Sequence, residues 1–152
     1  MKANFGEKLY FEELFSRSLD DDPWGHNWRA CHQYRYQRYL RLISTAHNKQ
    51  SKILDIGCAL GDFTVQVKEL LQPKEIWAID ISEEAIKKAM IKYKQSGIKF
   101  KVNSLPHLEE FKDSSFDLVL ALEVLYYLGY RERIRAIEGI KRILKKEGLL
   151  LI

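Results

Sequence analysis

The stretch ILDIGCALGDFT, Ile53 to Thr64, changes its periodicity half-way along. Ile53, Leu54 and Ile56 surround Asp55 with apolar side chains and predict a buried strand. Phe63, Val67, Leu70 and Leu71 then recur at helical spacing until Pro73 ends the pattern. Gly57 and Gly61 fall in the turn between the two. Such a turn lets backbone N–H groups and a helix N-terminus approach a ligand closely, because no Cβ stands in the way.

Working outward, strand and helix keep alternating. EIWAIDI reads as a second strand and SEEAIKKAMIKYKQSG as a helix, with Ser82 as N-cap and Gly97 as its stop. KFKVNSL is a third strand, FDLVLALEV a fourth, RERIRAIEGIKRILKKEG a helix and LLLI the start of a fifth strand. Ahead of Ile53, a short amphipathic helix runs through Phe5, Leu9 and Phe15. DDDPWG makes a turn, and a longer helix spans about Trp28 to Thr45. This alternation predicts an α/β fold, doubly wound and Rossmann-like, with a mostly parallel sheet of about five strands.

The 152 residues, 46% hydrophobic and 30% charged, fit one domain able to bury a real core. Residues 1–48 read as a helical lid and 49–152 as the α/β core. The start, MKANFGEKLYFEELF, carries acidic residues where a signal peptide needs an apolar run. No apolar stretch approaches the roughly 20 residues of a membrane helix. Two cysteines in unrelated contexts, Cys31 and Cys58, give neither a disulfide framework nor a zinc site, so no metal is expected and a reducing cytoplasmic setting is the default. Net charge is +4, with one denser patch. There Arg29, Arg35, Arg38 and Arg41 interleave with Tyr34, Tyr36 and Tyr39, as a solvated helix face or as an anion-contacting one.

The glycine turn is not a dinucleotide fingerprint. G-x-G-x-x-G would need a second glycine where Ala59 stands, and no Gly-Lys-Ser/Thr follows for a P-loop. What fits is Asp55 on the strand, the turn itself, and Asp80 ending the next strand. A carboxylate after the second strand can accept both hydroxyls of a ribose. Asp55 suits an ammonium group. A ligand with an ammonium, a sulfonium and a ribose but no pyrophosphate matches this charge layout better than NAD. The plainer alternative is that both aspartates only satisfy loop amides.

These motifs resemble the class I S-adenosylmethionine-dependent methyltransferases. LDIGCALGDFT is similar to the family's first motif, IWAIDIS to the acidic second, SFDLVLALEVLYYLG to the fourth-strand motif and LKKEGLLLI to the lead into strand five. The likeness is nearest to the small nodulation N-methyltransferase group, through Asp22-Pro23-Trp24, Gly57 to Thr64 and Glu123 to Leu128. The resemblance implies S-adenosylmethionine as cofactor. It implies that Gly57, Cys58, Ala59 and Gly61 pass their backbone beneath it, that Asp80 holds the ribose, and that Ile81 covers the adenine. Asn103, with Ser104 and Leu105 beside it, stands where the family usually places an adenine-binding aspartate. Trp24 is a candidate cover for the sulfonium and Arg35 a candidate partner for the cofactor carboxylate. Plain packing is the equal alternative for Trp24, and Cys58 reads as a small filler.

For chemistry, Glu123 follows strand four, where open α/β sheets place ligands, with Tyr126 and Tyr127 next to it. It suits an amine acceptor, or else an N-cap. His26 and His32 are weaker base candidates. Each of the four histidines, His47 and His107 included, reads more readily as solvent-exposed or structural, and Asp117 reads as structural. No Asn/Asp-Pro-Pro-Tyr follows strand four, and no ribose-methylating tetrad is evident, so a nucleic-acid acceptor rests on the arginines alone. The expected reaction is methyl transfer to an amine or hydroxyl of a small molecule or saccharide; RNA methylation, or binding without turnover, are the alternatives. The family's sheet has seven strands, its last two forming a hairpin beside strand five. The sequence ends at Ile152, so that hairpin is expected to be missing. The apolar GLLLI, which suits a strand covered on both faces, would then pair two copies as a homodimer.

Overall fold

Apolar side chains at alternate positions of the central strands divide between two faces of one sheet, and the helices follow from covering both. In the computed structural model, which describes residues 6–17, 22–46 and 52–152, the sheet contains β1 (Lys52–Ile56), β2 (Glu75–Asp80), β3 (Lys99–Val102), β4 (Phe116–Leu120) and β5 (Leu144–Leu151). Phe5 and His47 lie outside the described residues. The order is β3-β2-β1-β4-β5 and every neighbouring pair is parallel. Five helices accompany the strands: α1 (Lys8–Arg17), α2 (Ala30–Ala46), α3 (Asp62–Leu71), α4 (Glu83–Lys92) and α5 (Tyr130–Ile143).

Ile53, Leu118 and Leu120 face α2 and α3, where Ile43, Phe63, Val67 and Leu71 are buried. Leu54, Ile56 and Val119 face the other way, onto Ala136, Ile140 and Ile143 of α5. That period of two along each strand and 3–4 along each helix is the amphipathic logic of the sequence. Asp117, read as structural, accepts from the Lys52 N–H at 2.8 Å and meets Lys145 Nζ at 2.8 Å, which ties β4 to the starts of β1 and β5.

Three elements differ from the expectation. β4 ends at Leu120; Ala121 still donates to the Leu151 carbonyl at 2.9 Å, and residues 122–128 then leave the sheet through a short 3-10 turn at Leu125–Tyr127. The apolar run ALEVL therefore bends where a strand was expected, because Val124 packs against the backbone of Gly57. α4 stops at Lys92, before Gly97. β5 begins directly at Leu144, with its register broken between Leu144 and Leu149. Of β5, Leu144 joins the α5-side core and Leu149 and Leu151 the α3 side, while Leu150 is exposed, so the strand is not covered on both faces.

Candidate functional site

The C-terminal ends of β1, β2 and β4 open onto a cavity of about 180 Å³. At its floor the β1–α3 turn takes left-handed backbone at Gly57 (φ +76°), Ala59 (φ +49°) and Gly61 (φ +79°). The Gly57 and Cys58 N–H groups donate to the Ile79 carbonyl at 2.8 and 3.0 Å, which fastens the turn to β2. A Cβ on Gly57 would stand 2.1 Å from Val124 Cγ1, so only glycine lets the β4 exit lie this close.

Asp80 ends β2 on the cavity wall. Its Oδ2 accepts from the Ala59 N–H at 2.8 Å and its Oδ1 from the Ser82 N–H at 3.0 Å. It is 7% exposed, and burial pushes its carboxyl up to about 6 against the pull of those two amides. The Ile81 N–H also lowers it, so of a carboxylate's roughly four acceptor positions about one remains for a ligand. Asp55 lies beneath the floor rather than on the cavity. Its carboxylate accepts from Thr64 Oγ1 at 2.5 Å, and burial raises it likewise to about 6. Cys58 packs below with Ala78 and Ile86, its thiol held well above the usual range by burial, and Gly61 turns away toward Phe100.

Of the remaining sequence candidates, Trp24, His26, Arg35, Ile81, Asn103, Ser104, Leu105, Glu123 and Tyr127 line the same cavity, as do His32 and Tyr126. Trp24 stacks on His26 at 5.6 Å and meets Phe15 edge-on at 5.2 Å. His26 in turn touches His32 at 4.9 Å, and burial first, then His32, lowers its pKa. Asp22 holds this turn by accepting from the His26 and Asn27 N–H groups at 2.8 and 2.7 Å. Tyr127 stacks edge-on against Phe11, and burial raises its hydroxyl pKa. The Asn103 side-chain oxygen accepts from the Ser104 N–H at 2.6 Å while its amide donates to Glu110. Two candidates assigned separate tasks meet each other: Arg35 Nη1 lies 2.7 Å from Glu123 Oε1.

Residues 54–152 match the family model described as a methyltransferase domain. The chain belongs to the methyltransferase domain family. This methyltransferase domain is 27% identical over 141 residues to Nodulation protein S of Azorhizobium caulinodans, covering 90% of this chain and 65% of that protein. It is 31% identical to Nodulation protein S of Rhizobium tropici, covering 91% and 58%. The chain thus spans about three fifths of the length of these relatives. Among solved structures it is similar to the N-methyltransferase NodS of Bradyrhizobium japonicum, in complex with S-adenosyl-L-homocysteine, with a TM-score of 0.79 and 29% identity over 97% of this chain and 71% of that one. The five-stranded parallel sheet with flanking helices is the Rossmann-like fold of these enzymes.

Sequence reasoning missed Glu12. From α1 it accepts from Ser82 Oγ at 2.8 Å and from the Glu83 and Glu84 N–H groups at 2.7 and 3.1 Å, so a residue 70 positions upstream caps the methyltransferase domain's α4. Lys8 pairs with Glu83, and Lys88 Nζ donates to the Phe15 carbonyl at 2.9 Å. Arg142 was also missed: its guanidinium donates to the Leu108 and Phe111 carbonyls, both at 2.8 Å, and anchors the β3–β4 loop to α5. Only a Glu at a helical position facing a later N-cap could have signalled the first, and nothing in the sequence signals the second.

Proposed function

We propose that this domain binds S-adenosylmethionine in the cavity and transfers its methyl group to an amine of a small molecule or saccharide. The observation that carries the reading is Asp80, a buried carboxylate on the cavity wall, anchored by backbone amides beside the left-handed turn and with acceptor capacity left for a ligand. The donor set suits the group. Asp80 would take the ribose hydroxyls, Ile81 and Leu105 the adenine faces, and Ser104 or Asn103 its polar edge. Asn103 already spends its carbonyl oxygen on Ser104, so its free capacity is smaller than its position suggests. Arg35, the one lysine or arginine among the described residues lining the cavity, would meet a ligand carboxylate.

When bound, the cofactor supplies an activated methyl carbon on a sulfonium. The chain's own part is to align the acceptor and accept a proton. Glu123 offers a carboxylate to an ammonium group. His26, kept neutral by burial, offers a ring nitrogen, and Trp24 and Tyr127 offer aromatic walls that favour cationic groups over neutral ones. A hydroxyl acceptor would use the same wall with less benefit from Glu123. The described residues of the N-terminal segment, 6–17 and 22 to about 30, act as a lid whose place is fixed by Glu12 and the Trp24 cluster. The exposed thiol of Cys31 and the buried one of Cys58 are both free, which suits a reducing cytoplasmic setting.

Transfer of labelled methyl groups from S-adenosylmethionine to a panel of amino sugars and small primary amines, with total RNA as a parallel acceptor, tests the assignment. Label in an amine and not in RNA is expected. Label in RNA alone overturns the small-molecule acceptor.

A further inference from the structure

The Arg35–Glu123 pair joins two roles that the proposed function keeps apart. Both side chains line the cavity, their nearest atoms are 2.7 Å apart, and they are 37% and 49% exposed. Arg35 reaches in from α2 and Glu123 from the β4 exit, so the pair bridges the N-terminal helices and the sheet. Glu123 also sits at φ +58°, a left-handed conformation that a non-glycine residue keeps only when its surroundings hold it there. No other lysine or arginine lines the cavity among the described residues. Any ligand whose carboxylate needs a cation here must therefore compete with Glu123 for Arg35.

We infer that Glu123 acts as a built-in competitor for Arg35: the carboxylate of the bound cofactor displaces it, and the freed Glu123 then faces the cavity as the site for a cationic acceptor. The inference rests on the cofactor reading above and adds an order to it. Before exchange, Glu123 is neutralised and offers an ammonium group little. After exchange, Arg35 is neutralised by the ligand and Glu123 is not. Cofactor thus precedes acceptor for electrostatic reasons, with no movement of the sheet required.

The test compares S-adenosylhomocysteine, which carries the carboxylate, with 5′-methylthioadenosine, which lacks it, by calorimetric titration of the whole chain. Glu123→Gln keeps the shape and removes the competing charge. It is expected to tighten S-adenosylhomocysteine about two- to fivefold, the range for partly exposed ion pairs, and to leave methylthioadenosine unchanged. Arg35→Gln is expected to weaken S-adenosylhomocysteine only. In the double variant the gain from Glu123→Gln should vanish, since no cation remains to compete for. A gain that persists without Arg35 means simple repulsion between Glu123 and the ligand and overturns the exchange. So does a Glu123→Gln variant that binds both ligands as the wild type does. If neither ligand binds the wild type, the cofactor reading fails first, and the inference falls with it.

Discussion

Asp80 and Asp55 are two carboxyls held near 6 by burial, and their titration should be visible in two opposite directions. An aspartate in the unfolded chain titrates near 4. Between about pH 4 and 6 the folded state therefore binds more protons, and the stability these two groups contribute falls as pH rises through that window. Ligand binding runs the other way, because ionised Asp80 accepts from hydroxyls more strongly than its protonated form. Affinity for S-adenosylhomocysteine should fall between pH 7 and pH 5, and a flat profile by calorimetry would contradict the ribose role. Glycine makes a second residue-scale test. Gly97 has φ +68° with only Lys68 Nζ near its missing Cβ, whereas Gly57 has Val124 at 2.1 Å. Gly97→Ala should cost about 1–2 kcal/mol of backbone strain. Gly57→Ala should add the roughly 1–3 kcal/mol of an overpacked site. Denaturant midpoints of the two variants separate the terms, and equal losses would mean that Val124 gives way.

At the scale of the element, α4 is the instructive case. Its Ser82 cap was legible, since a serine before an acidic first turn satisfies orphan amides locally, and Ser82 Oγ does accept from the Ala85 N–H at 3.1 Å. The Glu12 contribution was not legible, because it depends on how α1 docks rather than on any local pattern. Burial raises the Glu12 carboxyl, but the amides of Glu83 and Glu84, the Ser82 hydroxyl and Lys8 outweigh it and hold the group below the usual range. Its stabilisation is therefore present above the ordinary glutamate value and lost as pH falls below it. Glu12→Ala should cost about 1–2 kcal/mol in denaturant unfolding, a typical loss for a charged helix cap. A neutral result would mean that α1 docks through Phe11 and Phe15 alone. The same distinction explains the rest of the comparison. The β1 turn, α3 and the place of Asp80 at the end of β2 were readable because period and glycine act within a dozen residues, whereas Asp55, expected at a ligand's ammonium, lies beneath the floor against Thr64. The bend after Leu120 and the start of β5 were not. ALEVL has no local breaker, and α5 ends at Ile143, five residues before the breaker Gly148, so their course is set by packing on Gly57 and by closure against Phe116. The Arg35–Glu123 pair likewise has no local trace.

For the whole molecule, the N-terminal helices and the sheet meet around one cavity, and the proposed function makes their contact the thing that ligand binding strengthens. Phe11, Trp24 and Tyr127 form that contact together with Glu12. Amide exchange in α1 and around Trp24 should slow on adding S-adenosylhomocysteine, while the β1–β4 centre of the sheet changes little. Equal rates with and without ligand would remove the lid from the account. The central claim is that the cavity is an S-adenosylmethionine site read by Asp80, and calorimetric titration of S-adenosylhomocysteine into wild-type protein and Asp80→Ala, with NAD as a competitor, tests it most directly. The account predicts micromolar binding by the wild type, a loss of about 1–3 kcal/mol in the variant and no competition from NAD. Unchanged affinity in Asp80→Ala, or displacement by NAD, would contradict it.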